Sequence, residues 1–188
     1  MTDDCSHIGL DVGGAHLKMA RINASGRVQA AAQWTTPLWQ GLDALDRAVE
    51  SIHGKLKTHE AGKIAVTMTG ELVDYFRDRN QGVVDISRRI ENCFGHESVR
   101  FYAGNRGFLE SESCRNHVNE IASANWHGTT RYVASMIERG ILFDLGSTTA
   151  DIIPFGGGNV LASATTDHER LRTHELCYTG VVRTPVMA

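Results

Sequence analysis

The same turn sequence occurs twice in this chain, once near its start and once in its last third. Residues 10–18 have the sequence LDVGGAHLK, and residues 143–151 have the sequence FDLGSTTAD. In each copy an aspartate ends an apolar strand, a glycine stands two residues later, and small or polar residues lead directly into a second strand. An internal repeat of this kind predicts two related halves that face each other across a cleft.

Both turns have the composition of a phosphate-binding loop. Glycine allows backbone N–H groups to approach a polyphosphate closely, and hydroxyl groups add further donors. A single turn of this type is common in structural hairpins, but two matched copies at the ends of apolar strands favour a functional interpretation. The predicted phosphate-binding residues are Gly13, Gly14, Gly146, Ser147, Thr148 and Thr149.

Three charged residues of the turns are candidates for catalysis. Asp11 and Asp144, one from each half, could hold a hydrated Mg²⁺, because this ion favours one or two carboxylates together with water and phosphate. Lys18 could place a positive charge against a phosphoryl oxygen, although a lysine at this position is as often a solvated charge.

The apolar pattern predicts an α/β fold with a first domain at 1–122 and a second at 123–188. A three-strand meander is followed by a helix and by a strand that we expect to pair in parallel. A second helix and strand complete this domain. The predicted strands are 7–11, 18–23, 27–34, 63–68 and 98–103, and the first helix begins near Leu42 and ends near Leu56.

The second domain is expected to repeat this order after a long helix at 121–139 that ends at Gly140. The glycines at 156–158 favour a hairpin loop over a phosphate site, because a strand and not a helix follows them. We expect the strands of this half to expose an apolar face. These strands are predicted at 141–144, 150–155 and 159–164.

Charge and composition exclude several classes of function. The net charge is -3 and no basic run occurs, which predicts no nucleic-acid partner. An acidic N-terminus and the absence of a long apolar run predict a cytoplasmic protein with no membrane segment. The four cysteines are far apart and are expected to be reduced thiols. The oligomeric state is left open.

Longer segments carry a resemblance to a known family. The two turns resemble the phosphate motifs of the superfamily of actin, sugar and acetate kinases and heat-shock chaperones, which has an actin-like ATPase, ribonuclease H-like fold. With the further segments, the chain is similar to the hydantoinase/oxoprolinase branch, and within it to proteins linked to tetrahydromethanopterin-dependent one-carbon transfer. The further segments are 67–72 (TMTGEL), 123–126 (SANW), 144–154 (DLGSTTADIIP), and the region from 166 (TD) through 170 (RL) to 178–185 (YTGVVRTP).

The resemblance implies a transferase of methanofuran-type cofactor biosynthesis. Archaeal members of the family join an aminomethylfuran diphosphate to a glutamyl-tyramine phenol and release pyrophosphate. Mg²⁺ and a phosphorylated small-molecule substrate are implied with it. Candidate substrate residues are Glu71, Asn125, Trp126 and Arg183.

Two departures from the family pattern keep other functions open. Ala15 stands where many kinases of the superfamily have threonine, and the glycine-rich adenosine segment is missing, so ATP binding is uncertain. Family members are longer, which predicts the first half of the fold plus only the beginning of the second. The alternatives are an ATP-dependent kinase or hydantoinase-type hydrolase, and a nucleotide-sensing regulator without catalysis.

Overall fold

A computed structural model describes residues 6–56, 61–146 and 149–181 of the chain. The chain divides into two compact units, Met1–Asn125 and Trp126–Ala188. The interpretation of 1–122 and 123–188 as one complete and one incomplete actin-like domain stays a prediction. No helix among the described residues has the length and apolar character needed to cross a membrane.

Unit 1 is built on a six-stranded mixed sheet with the order β3-β2-β1-β4-β5-β6. The first three strands form an antiparallel meander, and β1 pairs in parallel with β4, which pairs in parallel with β5. The predicted meander and the parallel crossover are therefore confirmed. The strands are β1 (Ser6–Val12), β2 (His16–Ile22), β3 (Val28–Thr35), β4 (Ala61–Met68), β5 (Val99–Tyr102) and β6 (Phe108–Leu109).

Two helices connect the parallel strands and cover one face of this sheet. In α1 (Asp43–Leu56), Leu45, Val49 and Ile52 recur at helical spacing and are at most 1% exposed. In α2 (Arg79–Phe94), the Asp78 side chain caps the N-terminus by accepting a hydrogen bond from the Gln81 N–H. The resulting apolar core lies entirely within residues 8–122.

The long helix predicted at 121–139 is wrong. The chain forms two short helices, α3 (Ser111–Cys114) and α4 (Val118–Ile121), and then a third, α5 (Asn125–Ala134). Ser123 breaks the run with a φ of 53°, a left-handed conformation that a helix cannot contain. Gly140 is not a helix cap either. It lies inside a strand, where a Cβ atom would stand 2.7 Å from the Phe155 ring.

Unit 2 contains a four-stranded sheet. The strands β7 (Arg139–Leu145), β8 (Ala150–Gly156) and β10 (Leu176–Cys177) have the order β10-β8-β7, and β9 (Asn159–Val160) also pairs with β8. The predicted hairpin at 156–158 is confirmed, and Gly157 and Gly158 both have positive φ, as its tight turn requires. The strand predicted at 159–164 is only two residues long. The helix α6 (Asp167–Arg172) begins at a capping box of Thr166 and Glu169.

One face of β7 is apolar and open to solvent, as the sequence predicted. Ile141, Phe143 and Leu145 are 57%, 61% and 62% exposed. At the matching positions of the repeat in β1, Ile8, Leu10 and Val12 are at most 3% exposed. The same alternation of apolar residues is therefore buried in one copy of the repeat and solvated in the other.

We expect Gly82→Ala to destabilise the protein, although alanine normally favours a helix interior by about 1 kcal/mol over glycine. A Cβ atom at position 82 would stand 2.5 Å from the Glu71 carbonyl oxygen and 2.8 Å from the Glu71 Cα. The backbone must then move, and the free energy of unfolding in urea should fall by about 1–3 kcal/mol.

Gly9→Ala is the matched control, because nothing lies within 4 Å of the added methyl group. Its effect should stay within about 0.5 kcal/mol. An unchanged or raised stability of Gly82→Ala would contradict the packing described for α2.

Candidate functional site

The first turn connects β1 to β2 at the edge of the sheet where the parallel strands end. The Gly13 N–H donates to the His16 carbonyl oxygen at 3.0 Å, which closes the hairpin and leaves Gly14 and Ala15 at its tip. The Gly13 N–H is therefore occupied by the fold. A phosphate at this turn would be bound by N–H groups further along the hairpin.

Glycine is needed in this turn because of close packing. A Cβ atom at Gly13 would lie 3.0 Å from the His16 carbonyl oxygen, and one at Gly14 would lie 2.7 Å from a methyl carbon of Val73. On the other side, a Cβ atom at Gly70 would stand 3.1 Å from the Val12 carbonyl oxygen. The turn is thus supported from below by the segment that follows β4.

Asp11 is held by neighbours on both sides of β1. Lys18, on β2, donates from its Nζ to the Asp11 Oδ2 over 3.1 Å. Thr67, on β4, donates from its hydroxyl to the Asp11 Oδ1 over 3.2 Å. The Lys18 side chain is 58% exposed, so this ion pair can open toward solvent with little loss of free energy. Asp11 therefore already has a cationic partner in the first turn.

The second turn has the same backbone plan. The Gly146 N–H donates to the Thr149 carbonyl oxygen at 2.8 Å, which corresponds to the bond between Gly13 and His16 in the first copy. The Gly146 carbonyl oxygen accepts a hydrogen bond from the Val181 N–H at 3.0 Å. The tip residues, Ser147 and Thr148, lie outside the described residues, so their predicted phosphate contacts stay predictions.

The two turns differ in the residue that lies across the hairpin from the aspartate. In the first hairpin Asp11 is paired with Lys18, whereas in the second Asp144 is paired with Asp151. Directly paired residues in an antiparallel ladder lie on the same face. Asp144, which is exposed, therefore has a second carboxylate beside it. The sequence motif contains this difference, but only the strand register reveals it.

Arg170 forms an ion pair with Asp151. Its Nη2 lies 2.8 Å from the Asp151 Oδ1 and donates to the Glu175 carbonyl oxygen at 3.0 Å, and the arginine side chain is 1% exposed. Its guanidinium carbon is 3.8 Å from the centroid of the Trp126 ring, within cation–π range. Burial raises the pKa of the Asp151 carboxyl above its ordinary value, and Asp144 adds to the rise while Arg170 opposes it.

Glu71 and Ser123 join two segments that the sequence singled out separately. The Ser123 hydroxyl donates to a Glu71 carboxylate oxygen at 2.9 Å, and the Ser123 N–H donates to the Met68 carbonyl oxygen at 3.1 Å. Glu71 is only 1% exposed. This arrangement ties the segment beneath the first turn to the left-handed residue after α4, which indicates a role in holding the turn.

The remaining candidate substrate residues have different surroundings. Trp126 is 6% exposed and its ring packs against Arg170, so its observed role is packing. Asn125 is half-buried at the first position of α5. Arg183 lies outside the described residues. Their substrate contacts, and the shared cleft expected for Asp11 and Asp144, stay predictions.

The donor set of the second turn fits a hydrated Mg²⁺. The described residues contain no group of three or more histidine, cysteine, aspartate or glutamate side chains that could hold a metal ion. Mg²⁺ commonly uses only one or two carboxylates and takes its other ligands from water and phosphate. Asp144 is an exposed carboxylate with Asp151 beside it, as such a site requires. Asp11 instead has Lys18 as its counter-ion.

Comparison with known protein sequences places the chain in one family. The Hydantoinase/oxoprolinase family profile matches residues 63–188. A (4-{4-[2-(gamma-L-glutamylamino)ethyl]phenoxymethyl}furan-2-yl)methanamine synthase from Methanocaldococcus jannaschii is 34% identical over 180 residues, which are 95% of this chain and 52% of the relative. The synthase of the same name from Methanococcus vannielii is 50% identical over 56 residues, 29% of this chain and 25% of that protein. The chain thus spans about half the length of the first of these relatives, and its match to the second is shorter.

Solved structures confirm the actin-like ATPase fold. A Ppx/GppA family member from Aquifex aeolicus matches with a TM-score of 0.53 at 10% identity, over 84% of this chain and 49% of that one. A ROK family glucokinase from Streptomyces griseus, solved with glucose and AMPPNP, matches with a TM-score of 0.52 at 15% identity, over 86% of this chain and 48% of that one. At these identities the likeness concerns the fold alone.

We expect Arg170→Met to lower stability in a pH-dependent way. At pH 7 the variant leaves the Asp151 carboxylate, which is 16% exposed, without its partner, and this should cost about 1–3 kcal/mol of unfolding free energy. A carboxyl with a raised pKa contributes stability that is present below its unfolded pKa and lost as the pH rises through the folded value. Arg170 opposes the rise of the Asp151 pKa, so its removal should increase the stability that is lost between acid and neutral pH. The variant should therefore be least destabilised at about pH 4 and below.

Urea denaturation at acid and neutral pH measures this effect. The double variant Arg170→Met/Asp151→Asn lacks both charges of this pair and should regain most of the stability lost at neutral pH. An equal loss for the single variant at both pH values would show that packing on Trp126, and not charge, is what Arg170 contributes.

Proposed function

The chain belongs to the hydantoinase/oxoprolinase family, and we propose that it takes part in forming an aryl ether between a furan methylene carbon and a phenol oxygen. The name of the Methanocaldococcus jannaschii relative describes a product with this phenoxymethyl-furan linkage. The observation that supports a diphosphate leaving group is the pair of hairpin turns with one backbone plan, closed at Gly13 and at Gly146. The chain spans about half of that relative, so the activity of the complete relative is assigned to this chain only as a proposal.

The proposed reaction is a substitution at carbon. The bond between the furan methylene carbon and the diphosphate oxygen breaks, and the electron pair leaves with the diphosphate. The phenol oxygen of a glutamyl-tyramine-like acceptor forms the new bond to the same carbon, and its proton passes to water. The products are the ether, pyrophosphate and a proton, so charge develops mainly on the leaving group.

The residues of the first turn suit this leaving group. Backbone N–H groups at the tip of the hairpin are fixed dipoles that can stabilise developing negative charge without reorganising. Lys18 is mostly exposed and can exchange its Asp11 partner for a phosphoryl oxygen. Lys18 would then supply charge, and Asp11 would keep it close to the turn when no ligand is bound.

The second turn offers carboxylates in place of a cation. Asp144 would hold Mg²⁺ through water, with Asp151 beside it, and the ion when bound would neutralise phosphate charge. Asp151 and Arg170 fix the position of the strand that carries Asp144. Titration calorimetry with Mg-pyrophosphate and with Mg-ATP tests the proposal, because a preference for ATP would favour a kinase instead.

Asp144→Ala should abolish Mg²⁺-dependent pyrophosphate release while leaving the fold intact. The side chain is exposed and supports no core, but it would order the cation at the site where charge develops. We expect a loss of about hundredfold or more in rate, measured as pyrophosphate released from the furan diphosphate in the presence of the phenol. Glu138→Ala, an exposed acid just before β7, is the control. Normal Mg²⁺-responsive release by Asp144→Ala would disprove the role of the second turn.

Lys18→Ala should have a smaller effect of a different kind. If the ammonium group contacts the diphosphate equally in the ground state and the transition state, its loss raises KM more than it lowers kcat. We expect KM for the furan diphosphate to rise by about tenfold, which corresponds to the loss of one exposed charge-assisted hydrogen bond. Steady-state kinetics separate the two constants. A fall in kcat with unchanged KM would instead show that Lys18 interacts with negative charge that develops only in the transition state.

A further inference from the structure

Three large apolar side chains of unit 1 are exposed, and none of the assigned roles explains them. Trp39, Leu72 and Tyr75, here called the aromatic patch, are 53%, 51% and 49% exposed. Each has a buried residue next to it in the chain, namely Leu38, Glu71 and Phe76, and the Tyr75 ring packs edge-on against Phe76 at 5.3 Å. Exposed apolar groups on a rigid base commonly mark a binding surface.

The aromatic patch adjoins the first turn through direct backbone contacts. The Leu38 N–H, next to Trp39, donates to the Gly14 carbonyl oxygen at 2.9 Å. Val73, next to Leu72, has its methyl carbon 2.7 Å from the position of a Cβ at Gly14. The segments that carry two of the three side chains therefore both touch the tip of the hairpin.

Tyr75 lies next to the same turn. Its Cε2 is 3.6 Å from the position that a Cβ would have at Gly41, two residues beyond Trp39, so the ring stands beside the turn at 38–41. Gly41 has a φ of 123°, a conformation that side chains rarely adopt. Glycine thus allows the turn at 38–41 to approach the tyrosine ring while Trp39 stays exposed.

We propose that the aromatic patch binds the furan ring of the diphosphate donor. This inference rests on the proposed function, in which the diphosphate lies at the first turn. One methylene group joins the ring to the diphosphate, so the ring must lie directly beside whatever binds the phosphates. Trp39 and Tyr75 offer π-faces and Leu72 an apolar edge, and such surfaces stack flat rings without requiring hydrogen bonds.

The 188-residue chain can be tested with three probes in the presence of Mg²⁺. These are inorganic pyrophosphate, benzyl diphosphate as a stable ring one methylene from the diphosphate, and tyramine as the phenol. Trp39 is the most exposed of the described tryptophans, because Trp34 is half-buried and Trp126 is buried, so acrylamide quenching of fluorescence reports mainly on Trp39. We expect benzyl diphosphate to bind about tenfold more tightly than pyrophosphate and to protect Trp39 from quenching.

Trp39→Ala and Tyr75→Ala should each remove most of this gain and leave the affinity for pyrophosphate unchanged. Phe108→Ala is the matched control, since Phe108 is 55% exposed and lies on β6, which β4 and β5 separate from β1 and its turn. If a variant fails to fold, protection of Trp39 in the unmodified chain still decides the question.

The outcomes separate this inference from the proposed function. Equal affinity for the two diphosphates, or no effect of either variant, would overturn the patch and leave the phosphate turn standing. Binding of benzyl diphosphate that depends on Trp39, without binding of pyrophosphate, would support the patch and overturn the phosphate assignment. No binding of either diphosphate would overturn both. Protection of Trp39 by tyramine and not by benzyl diphosphate would assign the patch to the acceptor and overturn the inference.

Discussion

Close backbone packing at the first turn is the constraint on which unit 1 depends. Gly13, Gly14 and Gly70 bring three segments of the chain closer together than side chains would allow. The hairpin between β1 and β2, the segment after β4 and the turn at 38–41 therefore meet at the edge where the parallel strands end. Asp11, Lys18, Thr67 and the buried Glu71 are placed at the same edge by this packing. The proposed binding chemistry follows from the contact between backbones more than from any single side chain.

The repeated turns are alike in backbone and different in charge. Each hairpin is closed by a hydrogen bond from the N–H of the glycine two residues after the aspartate. One aspartate is paired across the strands with a lysine and the other with a second aspartate. The buried Arg170, stacked on Trp126, is what makes the second arrangement tolerable. The first hairpin therefore presents a lysine beside its carboxylate, and the second presents two neighbouring carboxylates.

The sequence predicted the parts of this fold that depend on local patterns. Alternating apolar residues, glycine turns and helical spacing identified β1 to β5, α1, α2 and the hairpin at 156–158. The helix prediction at 121–139 was wrong because serine as a residue type does not indicate the left-handed backbone found at Ser123. Gly140 was predicted to cap that helix, but glycine is needed there because the Phe155 ring leaves no room for a Cβ atom. The candidate site was found in part. Asp11, Asp144 and Lys18 belong to a visible motif, whereas the pairing of Asp144 with Asp151 depends on strand register and the aromatic patch on tertiary packing.

The core of unit 1 is contiguous in the chain, since all of its residues lie between Ile8 and Ala122. Chains are synthesised from the N-terminus at about 5–20 residues per second, which is slow compared with the folding of a small domain. Every strand and helix that buries this core is therefore synthesised before the second turn is. The residues that form and support the first hairpin, up to Val73, precede the acidic hairpin by about 70 residues, so the two copies of the repeat are made several seconds apart.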